Sequence, residues 1–362
     1  LPRSEALTRL LKQTGFADAV RAPLAGDASS RRYERLTLAN RRAVLMDSQP
    51  SAESEPCPPG ATPAQRRELG WNAASRLAAS RVEAFVAVAG GLRAMGLTAP
   101  EIYGADFEAG YAVLEDLGDN LYARILADGG ADEISLYQEA ARVLAHAHGA
   151  PPPARMEGPG GARWPLLDYD ALALEVNADL FVDWLPRASE MRIDDAARAR
   201  WEQTRDALIV KALGFPRAFT IRDYHAENLL WLPEREGLAR VGLLDFQDAV
   251  RGWRAWDFAM LLDDARRDVS AAAREAAIGA YLDATGSPEA AFRRELAVLG
   301  ALNAMRILGV FARLEVRDNK PRYRAYMPRM WTHLANNLAH PSLVEARAFV
   351  SEVARPYLES AA

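Results

Sequence analysis

The sequence predicts an α+β protein with two lobes, a small β-rich lobe over residues 1–117 and a larger, mostly helical lobe over residues 118–362. The length of 362 residues exceeds what a single hydrophobic core usually serves, which favours two lobes. Short apolar stretches that end at Gly or Asn are frequent in the first third of the chain, as is typical of strands joined by turns. Apolar residues at helical spacing dominate after Leu121.

The N-terminal lobe is predicted to begin with a helix and to continue into strands. "EALTRLLKQTGF" (5–16) has apolar residues at helical spacing, and Gly15 is a typical helix-ending residue. Residues 20–50 contain short apolar stretches that are broken at Gly26 and Asn40. This pattern predicts two or three antiparallel strands with turns between them.

The rest of this lobe alternates between loop, helix and strand. Residues 51–63 are rich in Pro, which sustains neither strand nor helix, so we expect a loop. Helices are predicted around 64–79 and 81–95. Two further strands are predicted over 99–120, with a hinge between the lobes near 115–119.

The C-terminal lobe is predicted to be helical with a few short strands. An amphipathic helix is expected over 137–149, followed by a Pro/Gly-rich loop at 150–165 that is long enough to be a functional loop or lid. Residues 168–213 have helical periodicity, and 218–247 have the pattern of short strands. Nearly everything after Trp256 is predicted to be helical.

Composition excludes several classes of protein. The net charge of −5 does not favour non-specific binding to nucleic acid or to an anionic membrane. Cys57 is the only cysteine, which excludes an intrachain disulfide and a Cys-based zinc site. No apolar run approaches the ~20 residues needed to span a bilayer, and no signal segment is present at the start. We therefore expect a cytoplasmic protein with no membrane, nucleic-acid or obligate protein partner.

The segment 220–250 contains the clearest chemical signal. Asp223 is followed by Asn228, and Asp245 comes after a hydrophobic strand-turn-strand pattern. A lone Asp in a loop is usually a cap or turn residue, but this combination is far rarer. Phosphoryl transfer from ATP needs a carboxylate near the attacking hydroxyl and hard oxygen ligands for Mg²⁺. The pattern predicts that Asp223 accepts the hydroxyl proton, and that Asn228 and Asp245 bind Mg²⁺.

The same segment carries a family resemblance. "IRDYHAENLLWL" followed by "VGLLDFQDAV" resembles the aminoglycoside phosphotransferase and choline kinase group of the protein-kinase-like superfamily, whose catalytic loop reads roughly H-x-D-x-H-x-x-N. The resemblance implies a bilobal protein-kinase-like fold and the use of ATP and Mg²⁺. "RAWDFAMLL" resembles the next helix of that group, whose Asp accepts backbone hydrogen bonds from the catalytic loop. It implies this supporting role for Asp257, and the alternative is an ordinary acid at a helix start.

A narrower resemblance covers most of the chain. Six segments, in the same order, are similar to the anomeric sugar kinases of peptidoglycan recycling: "GDASSRRYERL", "AVLMDSQP", "LEDLGDNLYARIL", "LLDFQDAVRGWRAWDFAMLLDDARRDV", "LGVFARLEVRDNKPRY" and "MPRMWTHL". That family phosphorylates N-acetylmuramate and N-acetylglucosamine at the C1 hydroxyl. The resemblance implies a small-molecule amino sugar as the substrate. Kinases of an aminoglycoside, choline or homoserine are the alternatives.

The N-terminal lobe departs from the general kinase pattern. A kinase strand normally presents a Lys to the α and β phosphates, but "RRAVLMDSQP" has Met46 at that place. The chain is then either a pseudokinase that binds nucleotide without catalysis, or an enzyme in which other cations replace the Lys. We favour replacement by Arg31 or Arg32, because Arg donates in a fork to phosphate oxygens. The alternative is that these neighbours alternate sides of a strand, so that one of them faces the nucleotide.

Other candidate residues follow from the resemblance. "GDASS" resembles the loop that covers the phosphates, which implies nucleotide contacts by Gly26, Asp27 and Ser29. The stretch from Glu115 to Leu117 resembles the hinge, whose backbone bonds adenine. 

The acceptor pocket is less defined by the sequence. His225 lies between the predicted base and Asn228, where it orients the loop or contacts substrate. Arg306 is a candidate to contact an acidic sugar through the lactyl group of N-acetylmuramate. Glu175 lies in an acidic segment, 168–190, that does not exclude a cationic acceptor.

Overall fold

The computed structural model describes residues 2–24, 31–49 and 55–360. The chain forms two compact units: unit 1 comprises Leu1–Asp132, Pro152–Leu167 and Ala226–Val250, and unit 2 comprises Glu133–Pro151, Asp168–His225 and Arg251–Ala362. Each unit is built from several stretches of chain, whereas the predicted lobes are continuous. The lobe boundary between residues 117 and 118 stays a prediction.

Unit 1 is organised around a five-stranded antiparallel sheet of strand order β1-β2-β3-β5-β4. Its strands are β1 (Val20–Pro23), β2 (Arg32–Leu38), β3 (Arg41–Asp47), β4 (Ile102–Asp106) and β5 (Tyr111–Glu115). One face of the sheet packs on helix α1 (Arg3–Thr14), where Leu36, Leu45 and Val113 meet Leu10 of the helix. The helix ends as predicted at Gly15, which has a left-handed φ of 75°.

Helices and two small hairpins complete unit 1. They are α2 (Pro63–Leu69), α3 (Trp71–Ser75), α4 (Val82–Ala94), α5 (Tyr122–Ala127), β6 (Arg155–Glu157), β7 (Arg163–Pro165), β9 (Leu229–Trp231) and β10 (Val241–Leu243). The 150–165 segment is therefore not a plain loop, because β6 pairs with β7. A Cβ on Gly158 would lie 2.3 Å from the Val86 carbonyl oxygen, so glycine permits close packing of this hairpin on α4.

Unit 2 is mostly helical, as predicted. Its elements are α6 (Glu133–His148), α7 (Ala171–Ala178), α8 (Leu180–Ala188), α9 (Asp195–Leu213), β8 (Arg217–Thr220), β11 (Val250–Trp253), α10 (Arg254–Leu262), α11 (Ala271–Thr285), α12 (Glu289–Val316), α13 (Met327–Leu338), α14 (Val344–Val353) and α15 (Arg355–Glu359). Short 3-10 helices lie at Pro159–Gly161, Gly237–Arg240, Pro321–Tyr326 and Pro341–Leu343 of the chain.

Helix α12 is the central helix of unit 2 and packs on α8, α10 and α13. Among the described residues it is the one helix long and apolar enough to cross a membrane by length and composition, with a mean hydropathy of 1.5 over its most apolar window. Because 83% of that window is buried within the protein, α12 has the character of a core helix. At Gly309 a Cβ would lie 2.3 Å from the Leu180 backbone, so α12 and α8 approach closely here.

Candidate active site

The loop that carries Asp223 follows β8 in unit 2, and hydrogen bonds to the Asp257 carboxylate stabilise it. Asp257 is fully buried in the first turn of α10. Its Oδ2 accepts a hydrogen bond from the Ile221 N–H at 2.9 Å, and its Oδ1 accepts one from the Arg222 N–H at 2.9 Å. A carboxylate that accepts from backbone N–H groups forms strong, charge-assisted hydrogen bonds. Asp257 therefore fixes the backbone of the two residues that precede Asp223.

A histidine that the sequence pattern did not single out completes this support. His148 Nε2, at the end of α6, lies 3.3 Å from Asp257 Oδ2, and its Nδ1 lies 3.1 Å from the Tyr281 hydroxyl. From the sequence we interpret His148 as an ordinary helix residue, because its spacing from the other histidine of "LAHAHG" excludes a shared metal. His148 and Asp257 are 109 positions apart in the chain, so no local sequence pattern predicts their contact.

The backbone just before Asp223 has an unusual conformation. Arg222 has φ of 78°, in the left-handed region that a residue with a Cβ seldom adopts. Its side chain is buried, with the guanidinium carbon 4.8 Å from the centre of the Tyr169 ring. On the far side of the loop, the Tyr224 hydroxyl donates to the Ala140 carbonyl at 2.9 Å. The half-buried Asp223 is thus held by contacts of its neighbours.

Asn228 and Asp245 lie together in unit 1. Asn228 immediately precedes β9, and Asp245 comes two residues after β10, which pairs antiparallel with β9. The Leu244 N–H donates to the Asn228 carbonyl at 2.9 Å, which places both residues at one end of the two-stranded sheet. The predicted strand-turn-strand arrangement is confirmed. Asp245 has φ of 52°, a conformation that Asp adopts more readily than most residues.

Arg31 and Gln247 both donate to the Asp245 carboxylate. Arg31 Nη1 lies 3.1 Å from Asp245 Oδ1, and Gln247 Nε2 donates to the same oxygen at 3.0 Å. Arg31 is buried and also donates to the Ala79 carbonyl at 3.3 Å. Burial opposes its charge, but the nearby Tyr33, Asp245 and Asp248 outweigh that cost and raise the pKa of Arg31. The Arg31 guanidinium therefore keeps its positive charge beside Asp245.

The structure distinguishes the two candidate replacements for the missing Lys. Arg31 contacts Asp245, whereas Arg32 is exposed at the start of β2, opposite Asp47. Met46 is fully buried in β3, between Tyr33 and Ala112 of the neighbouring strands. The residue predicted to stand in place of the strand Lys is therefore an apolar core residue.

The remaining predicted residues are dispersed. The hinge stretch follows β5, where Glu115 forms an ion pair with Arg235 at 2.7 Å and Leu117 is half-buried. Half-buried residues also include Glu175 on α7 and His225 after the Asp223 loop. Gly26, Asp27 and Ser29 lie outside the described residues.

Asn228 and Asp245 fit a magnesium ion that takes its other ligands from nucleotide and water. They offer one amide oxygen and one carboxylate, both hard oxygen donors. Within residues 2–24, 31–49 and 55–360, no group of three or more His, Cys, Asp or Glu side chains could hold a metal by itself. Mg²⁺ commonly binds through one or two protein ligands and substrate phosphates, so a sparse donor set is what it requires.

Comparison with known proteins places these motifs in a family. The sequence model of the phosphotransferase enzyme family (APH) matches residues 20–296. The chain belongs to this phosphotransferase family. As a member, it is an ATP-dependent enzyme, and the predicted resemblance is confirmed.

Individual relatives agree with the family. The chain is 50% identical over 96% of its length to a protein named N-acetylmuramate/N-acetylglucosamine kinase from Caulobacter vibrioides, of which it covers 95%. A protein of the same name from Pseudomonas aeruginosa is 32% identical over 89% of this chain and 85% of its own length.

Solved structures confirm the predicted kinase-like fold. A choline/ethanolamine kinase family protein from Mesorhizobium loti matches with a TM-score of 0.56 at 15% identity, over 96% of this chain and 99% of that one. Plasmodium vivax ethanolamine kinase matches with a TM-score of 0.57 at 12% identity, over 92% of this chain and 84% of that one. At these identities the likeness concerns the fold alone.

Proposed function

We propose that this phosphotransferase is an ATP- and Mg²⁺-dependent kinase that phosphorylates the anomeric C1 hydroxyl of N-acetylmuramate, N-acetylglucosamine or both. The sugar 1-phosphate would serve cell-wall recycling in the cytoplasm. The observation that carries the proposal is the 50% identity, over 96% of the chain, to a kinase named for these two sugars. Asp223, Asn228 and Asp245 supply the residue types that the reaction needs.

In this reaction Asp223 is the proton acceptor. The C1 oxygen of the sugar forms a bond to the γ-phosphorus as the bond from that phosphorus to the bridging oxygen breaks, and ADP leaves. The hydroxyl proton passes to the Asp223 carboxylate. Asp257 contributes as a positioning residue, since it holds the N–H groups of Ile221 and Arg222. The backbone that leads into Asp223 is thereby fixed in position.

On the nucleotide side, Asn228 and Asp245 would hold Mg²⁺ against the phosphates. The bound ion would neutralise charge on the phosphate oxygens. Arg31 supports this assignment because it keeps a buried cation 3.1 Å from Asp245. In our proposal Arg31 takes over the task of the strand Lys by donating to phosphate oxygens.

The rest of the nucleotide site follows the family pattern. Backbone groups of Glu115 and Leu117 would bond adenine. Gly26, Asp27 and Ser29 would cover the phosphates.

Phosphorus NMR of the protein with ATP, Mg²⁺ and either sugar tests the proposal. We expect a new phosphate signal that is split by a single sugar proton, as an anomeric phosphate requires. In Asp223→Asn, turnover should fall by about 10²–10⁴, the usual contribution of a positioned acid–base group. Melting curves of the two proteins should coincide, since Asp223 is held by its neighbours.

Two outcomes would overturn the proposal. Consumption of ATP without a sugar phosphate would mean a different acceptor, such as an aminoglycoside or choline. Near-normal turnover of Asp223→Asn, with an unchanged melting curve, would remove Asp223 from its role.

A further inference from the structure

Most half-buried arginines of unit 2 are neutralised by a carboxylate. Arg254 forms a forked pair with Glu295 at 2.7 and 2.8 Å. Arg274 pairs with Asp263 at 2.7 Å. These pairs reflect the cost of burying a cation without a counter-charge.

Arg306, on α12, is different. Its Nε and Nη2 both donate to Asn303 Oδ1, at 3.1 and 2.9 Å, and Nη2 lies 3.6 Å from Met260 Sδ. Its guanidinium carbon lies 5.6 Å from the centre of the Trp256 ring. Among the residues that the structure describes, no carboxylate forms an ion pair with Arg306, and no hydrogen bond engages its Nη1. An amide, a thioether and an aromatic ring orient the cation, but none of them carries a negative charge.

A second polar residue packs against Trp256, as Arg306 does. Tyr169 is fully buried, and within the described part of the chain its hydroxyl has no hydrogen-bond partner. A buried hydroxyl without a partner costs free energy that native proteins seldom leave unrecovered. The Tyr169 ring packs edge-on against Trp256 with centroids 5.0 Å apart, so the ring that lies under Arg306 also positions Tyr169.

Arg306 and Tyr169 belong to the surroundings of the proposed base. Burial lowers the pKa of Arg306, and the charges of Tyr169 and Asp223 act in the opposite direction. Burial raises the pKa of Tyr169, with Arg222 and Arg306 opposing it. Geometry also links Tyr169 to this loop, because the guanidinium carbon of Arg222, the residue before Asp223, lies 4.8 Å from the centre of the Tyr169 ring. Part of Arg306 remains accessible, whereas the Tyr169 hydroxyl is buried, so an acceptor would approach from the side of Arg306.

We infer that Arg306 and the Tyr169 hydroxyl form a subsite for a carboxylate carried by the acceptor. The inference rests on the proposed function, because it presumes an acceptor whose hydroxyl meets Asp223. Arg306 Nη1 and the Tyr169 O–H are donors, and a carboxylate accepts from both. Of the two proposed sugars, N-acetylmuramate carries a lactyl carboxylate and N-acetylglucosamine lacks it. Arg306 is then a specificity-determining residue that favours the acidic sugar.

The test is the ratio of kcat/KM for N-acetylmuramate to kcat/KM for N-acetylglucosamine. In Arg306→Met we expect this ratio to fall by about 10- to 100-fold, the effect of losing a hydrogen bond to a charged group. Arg306→Lys should restore part of the ratio, since it keeps the charge but loses the fork. Tyr169→Phe should lower the ratio less, because it removes a neutral donor.

Arg294→Met is the matched control on the same helix. Arg294 is exposed, and its guanidinium carbon lies 5.9 Å from the centre of the Phe215 ring, so it too rests on an aromatic ring. The ratio of the two kcat/KM values in Arg294→Met should equal that of the unaltered enzyme. Should Arg306→Met fail to fold, the unaltered enzyme can be compared on N-acetylmuramate and its lactyl methyl ester. The inference predicts that the ester is the poorer substrate by a similar factor.

The outcomes separate the inference from the proposed function. An unchanged ratio in Arg306→Met, or equal preference for acid and ester, would overturn the subsite while leaving the kinase intact. An equal loss with both sugars would assign Arg306 to positioning of the Asp223 loop. If the unaltered enzyme phosphorylated neither sugar, the proposed function would fail and this inference with it.

Discussion

The loop of Asp223 and the loop of Asp245 are held in place by different kinds of contact. Each contains a non-glycine residue at positive φ, Arg222 in one and Asp245 in the other. The first loop is held through its backbone by the buried Asp257. The second is held through the acidic side chain itself, by Arg31 and Gln247.

The difference matches the tasks proposed for the two acids. A proton acceptor must be held in a fixed position, and hydrogen bonds to the N–H groups that precede it in the loop provide this. A metal ligand can be held by donors that the cation later replaces. We therefore expect Arg31 to leave Asp245 when Mg²⁺ and nucleotide bind, and to donate to phosphate instead. The predictions below alter one loop at a time.

The largest expected effect is on the backbone-held loop. Asp257→Ala leaves two buried N–H groups without an acceptor and removes the partner of His148, so the free energy of unfolding should fall by about 3–5 kcal/mol. Urea denaturation followed by circular dichroism measures this change. The exposed Asp283→Ala is the control, and equal midpoints for the two variants would contradict the role given to Asp257.

The next effect concerns the side-chain-held loop. Arg31→Met should lower kcat/KM for ATP by about 10²–10³, comparable to loss of one donor that stabilises transition-state charge. Arg32→Met provides a matched control, because it is the adjacent arginine and is exposed. Steady-state kinetics with varied ATP measures both. Equal effects of the two substitutions would mean that Arg31 is not the replacement for the missing Lys.

A smaller effect is expected at Gln247. Gln247→Leu removes one donor to Asp245 but leaves Arg31 in place, so the concentration of Mg²⁺ needed for half-maximal activity should change by less than about tenfold. Titration of activity with Mg²⁺ at saturating ATP measures the change. A loss as large as that of Arg31→Met would show that Gln247, rather than Arg31, holds the Asp245 loop.

The smallest effect is expected from Tyr224→Phe. The substitution removes one hydrogen bond to the Ala140 carbonyl, which contributes about 1 kcal/mol to stability. Since Asp257 still holds the loop, KM for ATP should not change. A thermal melt combined with ATP kinetics checks both statements, and a strong loss of turnover would mean that Tyr224 shares the support of Asp223.

Local sequence patterns predict much of the fold but few of the side-chain contacts that support the candidate site. Turn residues and apolar spacing predicted the sheet of unit 1 and the helices of unit 2. The same patterns could not show that His148 meets Asp257, or that Arg31 meets Asp245 across 214 positions, because such contacts leave no periodic trace. The sequence predicts a loop at 150–165 because Pro and Gly favour loops, whereas the structure has a hairpin there.

Some residues of the candidate site are identified from the sequence, and others only from the structure. The order of Asp223, Asn228 and Asp245 is visible in the sequence because each lies at a fixed place beside a strand. The absence of an ion pair at Arg306, within the described part of the chain, depends on how α12 packs against Met260 and Trp256 of α10, and composition does not show it. Tyr169 carried no signal at all, since a buried tyrosine is normally a core residue.

The close approach at Gly309 has a consequence for engineering this enzyme. Gly309 lies one helical turn from Arg306 on α12, and a methyl group there would collide with the Leu180 backbone. Gly309→Ala would force α12 to slide or to separate from α8, and Arg306 would move with its helix. Directed evolution toward other acceptor sugars should therefore recover substitutions at position 309, although that residue has no side chain with which to contact a sugar.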